Sequence, residues 1–220
     1  MFSRLLARQL RQPSSVIGPL LLAPLWNRRN HALNDSAAAL LSVQADDVVL
    51  EVGCGGGYLL GQLLARITRG TVAGIDASAS MVAHCRARYL RQRRSGRLDV
   101  RCASVGAIPF ETNHFDKVVS VNSLFYWPSV EQGVAECGRV TRIGGALVLV
   151  FTSRRSLEGH GFARHGLALH DGLEVGRMVE HAGFTAVHVD ERHDRHRSYW
   201  CVTGRKADSP EHVAPVGAER

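Results

Sequence analysis

Ten residues constrain this chain more than any others: Val48-Val49-Leu50-Glu51-Val52-Gly53-Cys54-Gly55-Gly56-Gly57. Four of the first five are apolar and three of those are valine, as in a strand buried on both faces of a parallel sheet. The run then breaks into glycines, which allow a tight turn and bring backbone N–H groups close to a ligand where a Cβ would intrude. Tyr58-Leu59-Leu60-Gly61-Gln62-Leu63-Leu64 follows with helical spacing. The unit therefore reads as strand, glycine loop and helix N-terminus, an arrangement that attracts an anionic group.

The glycine spacing discriminates between cofactors. A dinucleotide fingerprint, G-x-G-x-x-G, needs glycine at position 58, where Tyr58 stands. What is present is Glu51-x-Gly53-x-Gly55-x-Gly57, with a carboxylate two residues before the first glycine. A carboxylate repels a phosphate and suits a ligand that carries an ammonium or a sulfonium. This pattern resembles the first motif of the class I S-adenosylmethionine-dependent methyltransferases, in particular the small-molecule, quinone-methylating type. The bland alternative is a glycine-rich turn that binds nothing.

Composition sets the outer bounds. A chain of 220 residues with 45% hydrophobic content suffices for one α/β domain with terminal additions. The cysteines at 54, 85, 102, 137 and 201 form no C-x-x-C pair, so free thiols in a reducing compartment and a cytoplasmic location are expected. The formal charge of +7 and a pI near 9.6 raise nucleic acid or an anionic membrane surface as partners. The densest basic run, Arg86 to Arg97, has only Tyr89 among its arginines and reads as a solvated face, which argues against nucleic acid. The longest apolar run, Leu20 to Trp26, is broken by Pro24 and is far short of the ~20 residues a membrane span needs.

Residues 1–34 contain no acidic residue and several arginines and serines, as a mitochondrial targeting segment does. The alternative is an amphipathic N-terminal region, with Phe2, Leu5, Leu6 and Leu10 at helical spacing before Pro13. Residues 1–46 are expected to form a helical lid or cap on the domain, with contact to a membrane surface as the competing role. Asn34-Asp35-Ser36 offers caps for a helix from Ala37 to Val43.

Thr71 to Asp76 is the second strand, and its terminal acid lies 19 residues after Gly57, where a carboxylate accepts hydrogen bonds from a ribose diol. Ser78 then caps a helix expected to run to about Arg94. The third strand, Leu98 to Ala103, leads into Ser104-Val105-Gly106-Ala107-Ile108-Pro109-Phe110. In the family it resembles, this loop reads close to Asp-Ala-Glu-x-Leu-Pro-Phe, with the Asp holding the adenine amino group. Ile108-Pro109-Phe110 matches and Ser104 takes the Asp position, offering an acceptor without charge assistance. The resemblance also implies Ala77, Met81 and Val105 as cofactor contacts. Phe115 to Asn122 is the fourth strand, and the resemblance puts the Asn122 backbone beside the methionyl amino group. Phe125-Tyr126-Trp127 follows and either lines an acceptor pocket, together with Trp26, or closes the core.

Val130 to Arg142 reads as a helix, and Arg139-Val140-Thr141-Arg142-Ile143-Gly144-Gly145 resembles the family's Arg-x-Leu-Lys-Pro-Gly-Gly turn, with Ile143 in place of Pro. Ala146 to Phe151 is the fifth strand. A helix from Leu173 to His181 and an antiparallel pair, Phe184 to Val189 and Ser198 to Thr203, complete the pattern. The expected fold is α/β, Rossmann-like and doubly wound: a mostly parallel seven-stranded sheet ending in an antiparallel strand pair, over residues 47–206. Residues 207–220 are polar with two prolines and are expected to be a disordered tail.

Methyl transfer from a sulfonium is a displacement of an already activated leaving group, so the protein contributes position, orientation and a dry site. A hydroxyl or amine acceptor needs a base near neutral pH, for which His160, His165 and Tyr126 are the candidates. The spacing of His160, His165 and His170 puts them on no common helix face, so no metal is expected. The leading expectation is a methyltransferase for a small, apolar or aromatic metabolite, with S-adenosyl-L-methionine as cofactor. An RNA methyltransferase is the second reading: the basic charge fits, but Asn122-Ser123-Leu124-Phe125 is not the Asn-Pro-Pro-Tyr type used on flipped-out amino groups. The third is a non-catalytic S-adenosylmethionine-binding module, suggested by Ser104 and Ile143. The acceptor molecule, acceptor atom and oligomeric state are not legible.

Overall fold

The computed structural model describes residues 30–159 and 169–208. Trp26, His160, His165, most of the expected lid and the tail from residue 209 lie outside them. One seven-stranded sheet organises the domain, in the order β3-β2-β1-β4-β5-β7-β6. The strands are β1 (Val48–Val52), β2 (Thr71–Asp76), β3 (Leu98–Cys102), β4 (Phe115–Val121), β5 (Thr141–Thr152), β6 (Phe184–His193) and β7 (Ser198–Lys206). The ladders from β3 through β5 are parallel, and β7 enters antiparallel between β5 and β6. The order reverses at β1, between β2 and β4, so the crevice beyond the C-terminal ends of these strands is the expected ligand site.

Alternation along the strands sends side chains to two cores, one on each face of the sheet. Leu50, Val52, Ala73, Ile75 and Val118 face α5 (Val130–Val140) and α7 (Gly172–His181). Val49, Val72, Val119 and Val148 face α1 (His31–Leu41), α2 (Tyr58–Arg66) and α3 (Ala79–Arg88). In α2 the leucines at 59, 60, 63 and 64 form the buried stripe that their spacing predicts. Ser78 caps α3 by accepting the Met81 N–H, Ser129 caps α5 by accepting that of Gln132, and Asp171 with Glu174 makes a capping box on α7.

Several boundaries differ from the sequence reading. Helix α1 begins at His31, so Asn34 and Asp35 lie inside it rather than at its cap. Asn34 turns its amide back to the Asn30 carbonyl, and Asp35 pairs with His31. The long helix after Ser78 is two, α3 and the short α4 (Leu90–Arg94), because the backbone leaves helical geometry at Tyr89. Thr141 already pairs with Phe115; the ladder then bulges through Arg142–Gly145 and resumes with Ala146 opposite Lys117. Gly144, at φ 71°, thus turns a bulge inside β5 rather than a loop before it. Strands β6 and β7 are longer than expected: β6 runs on to His193, which pairs with Ser198, and β7 runs on to Lys206, where Gly204 and Arg205 pair with β5 and Lys206 with Phe184. A short helix, α6 (Arg154–Gly159), follows β5. No described helix is long and apolar enough to cross a membrane.

Candidate cofactor and acceptor site

The glycine loop opens the crevice, and its three alternate glycines, all at positive φ, serve three different purposes. A Cβ at Gly53 would stand 2.5 Å from the Ser123 Cβ, so this glycine lets the loop after β4 pack against the loop after β1. A Cβ at Gly57 would meet Cys85 Sγ at 2.9 Å and the Tyr89 ring at 3.0 Å, so this one admits helix α3. Around Gly55 a Cβ would meet nothing within 4 Å, and here the loop borders open space. Only Gly55 therefore answers to the expectation of glycines that make room for a ligand.

The loop amides are mostly spent within the fold. Those of Gly53 and Cys54 donate to the Ile75 carbonyl, that of Gly57 to the Cys54 carbonyl, and that of Gly55 to Asp76 Oδ2 at 2.8 Å. The Gly56 N–H has no partner among the described residues, at the N-terminus of α2 where an anionic group is favoured. Beneath the loop, Glu51 is 4% exposed, and its Oε2 has no hydrogen-bond partner among the described residues. Burial, then the nearby Cys85 and Asp76, push its carboxyl well above the usual carboxylate range, against a hydrogen bond from the Leu60 N–H.

Asp76 ends β2 as expected, and its other oxygen accepts the Ser78 N–H at 2.8 Å. Burial raises its carboxyl, and the two backbone donors offset part of that rise. Each oxygen keeps a further lone pair for a ligand hydroxyl. Ala77 is exposed beside it, whereas Met81 is buried under the helix cap. Beyond the end of β3, Ser104 is exposed and accepts the Gly106 N–H at 3.3 Å, heading a short 3-10 turn in which Val105 is buried. The Glu136–Arg139 pair holds this loop: Glu136 Oε2 accepts the Ile108 N–H, and Arg139 donates to the carbonyls of Ile108 and Phe110. The hydrogen bond from Arg139 holds the Glu136 carboxyl below its ordinary value. The sequence singled out Arg139 only as part of a turn; its loop-holding role needed the contact across some thirty residues.

At the end of β4, Asn122 takes a left-handed conformation (φ 55°) and its side chain is committed. Its Oδ1 accepts from the N–H and hydroxyl of Thr152, and its Nδ2 donates to Asn30 Oδ1. Arg197, just before β7, donates to the same Asn30 oxygen and to Thr152. Helix α1 is thereby tied to the ends of β4, β5 and β7. Phe125 and Trp127, 5% and 7% exposed, pack into the core, and the Trp127 indole donates to Ser123 Oγ. Tyr126 is half-buried against them, and burial raises its phenol further above neutrality, so it holds its proton. His170, the described member of the histidine trio, lies 3.2 Å from Glu174. No group of three potential metal ligands occurs among the described residues.

The crevice suits S-adenosylmethionine on these observations: an orphaned buried carboxyl oxygen, an open face at Gly55, a free amide at a helix N-terminus, and a strand-end aspartate. Residues 50–149 match the family model of the methyltransferase domain. A Bacillus subtilis methyltransferase, YdaC, is 30% identical over 129 residues, which cover 58% of this chain and 68% of that one. The chain belongs to the class I S-adenosylmethionine-dependent methyltransferases. A Mycolicibacterium smegmatis relative named "Probable S-adenosylmethionine-dependent methyltransferase" is 32% identical over 142 residues, 62% of this chain and 51% of its own. The present chain thus spans only about half of that relative. Among solved structures, the complex of the Haloferax volcanii Trm112 activator with a methyltransferase matches with a TM-score of 0.73 at 18% identity, over 87% of this chain and 97% of that one. A Streptomyces coelicolor geranyl diphosphate C-methyltransferase with S-adenosylhomocysteine matches at 0.69 and 14%, over 82% and 80%. Both likenesses concern the fold.

Proposed function

We propose that this methyltransferase acts on a small, apolar or aromatic metabolite. The observation that carries the reading is the acceptor side of the crevice. Beyond β4 the turn Leu124–Tyr126 buries Leu124 and Phe125 and leaves the half-buried Tyr126 as its accessible aromatic face, while the charged groups Arg197 and Asp194 are paired with each other at 3.5 Å. S-adenosylmethionine held in the crevice would supply an activated methyl group to an electron pair of the acceptor and leave as S-adenosylhomocysteine. The chain's share is to orient both molecules and keep water out. Tyr126 keeps its proton, so its role is to donate a hydrogen bond to the acceptor rather than to act as a base.

Residues 1–29 join the described domain at Asn30, which Asn122 and Arg197 hold at the strand ends where an acceptor enters. A role for them as a lid on that side is part of this proposal, and the position of Asn30 is what supports it. The RNA reading loses part of its support, because Arg86, Arg88 and Arg97 each donate to a backbone carbonyl of this chain. The test is a metabolite screen with methyl-labelled S-adenosylmethionine. Label transfer to an apolar metabolite is the expected result; label only in RNA, with salt-dependent binding, would replace this reading by the other.

A further inference from the structure

Helix α3 reaches the glycine loop from behind. Cys85, Arg88 and Tyr89 stand at i, i+3 and i+4 and so share one side of it. They take three successive carbonyls: the Cys85 thiol donates to Gly55 at 3.1 Å, Arg88 Nη1 to Gly56 at 3.2 Å and the Tyr89 hydroxyl to Gly57 at 2.7 Å. A peptide unit is planar, with its carbonyl and the following N–H pointing in opposite directions. Drawing the Gly55 and Gly57 carbonyls toward α3 therefore turns the N–H groups of Gly56 and Tyr58 away from it, toward the crevice, while Arg88 on the Gly56 carbonyl fixes the peptide between them, whose Gly57 N–H is spent on the Cys54 carbonyl. These are the amide left without a partner and the first amide of α2, whose opening N–H groups have no acceptor within the helix. The Tyr89 ring also fills the space that glycine leaves at position 57, where a Cβ would come within 3.0 Å of it, and its hydroxyl lies 2.6 Å from a Cβ at position 61.

We propose that Cys85, Arg88 and Tyr89 are positioning residues that set the affinity for the amino-acid end of the cofactor, by aiming the loop amides at its carboxylate. Each acts through the loop, by its bond to a loop carbonyl. Part of the arginine-rich segment thereby gains a role beyond solvation. Arg88 is exposed and has no carboxylate partner among the described residues, yet its guanidinium holds the loop. The assignment rests on the cofactor being S-adenosylmethionine with its methionyl end at the glycine loop.

Calorimetry on the full chain with two ligands tests it: S-adenosylhomocysteine, and 5′-methylthioadenosine, which lacks the amino-acid end. Tyr89→Phe, which keeps the ring, and Arg88→Ala, at an exposed position, are each expected to weaken S-adenosylhomocysteine about five-fold, the equivalent of one hydrogen bond. Methylthioadenosine affinity should stay within about two-fold. Cys85→Ser retains a donor and should keep affinity that Cys85→Ala loses. Unchanged S-adenosylhomocysteine affinity in Tyr89→Phe and Arg88→Ala would overturn the proposal, as would an equal loss for both ligands, which marks a general structural role. If Tyr89→Phe fails to fold, Arg88→Ala decides. A wild-type chain that bound neither ligand would overturn the cofactor placement, and the proposal with it.

Discussion

The carboxylate of Asp76 and the amide of Gly55 are joined by a 2.8 Å hydrogen bond that crosses from the end of β2 to the loop after β1. The residue placed to receive a ribose diol is therefore also a strut of the glycine loop. Asp76→Ala removes both functions. Each hydrogen bond to a charged acceptor is worth about 1.5–3 kcal/mol, so cofactor affinity should fall at least ten-fold. Calorimetry with S-adenosylhomocysteine measures it, and a loss under about three-fold would displace the ribose from Asp76.

Ser104→Asp restores a charged acceptor where the adenine amino group is expected. Aspartate also preserves the cap on the Gly106 N–H that Ser104 now makes. Affinity for S-adenosylhomocysteine should rise by about 1 kcal/mol, roughly five-fold. No change in affinity would mean that adenine lies elsewhere.

Gly53 and Gly55 separate folding from binding. Gly53→Ala forces a Cβ to 2.5 Å from that of Ser123 at φ 75°, so melting should shift down by the equivalent of at least 2 kcal/mol, on the order of a left-handed backbone penalty plus overpacking. Gly55→Ala adds a Cβ into open space and carries only the backbone penalty of about 1–2 kcal/mol. That variant should stay folded and lose cofactor binding. Paired thermal melts and calorimetry check both, and a Gly55→Ala protein that bound S-adenosylhomocysteine normally would put the cofactor elsewhere.

The buried carboxyl of Glu51 makes stability depend on pH. Its folded value lies well above the ordinary 4.5, so the folded state holds this proton more tightly than the unfolded chain does. The contribution is present in full below the unfolded value and is lost as pH rises through the folded one. Glu51→Gln removes that loss. Without cofactor, the melting temperature of Glu51→Gln should exceed that of wild type at pH 8, and the gap should shrink toward pH 4.5. A constant gap across this range would show that Glu51 is not the group responsible.

Deleting residues 1–29 tests their proposed place over the acceptor side. Asn30 and its bonds to Asn122 and Arg197 remain, so the sheet and the cofactor crevice keep their ties. S-adenosylhomocysteine binding should be nearly unchanged while methyl transfer is lost. Full turnover by the truncated chain would favour a targeting or membrane-surface role for this segment.

The sequence by itself determined the strand–loop–helix unit at 48–66, the acid at the end of the second strand, and the alternation that demands a parallel sheet. Each rests on local periodicity or on a residue type that the backbone requires at one point. Strand order, the insertion of β7 between β5 and β6, and the partners of individual side chains were decided by tertiary structure. The glycines show the difference: their presence marked the loop, but Ser123, Tyr89 and open space are what Gly53, Gly57 and Gly55 each make room for, and two of those neighbours come from distant segments. Arg88 and Arg139 show it too. A run of charge looks the same whether its guanidiniums face water or hold backbone carbonyls, because the acceptor is brought within 3.2 Å only when elements about thirty residues apart pack together.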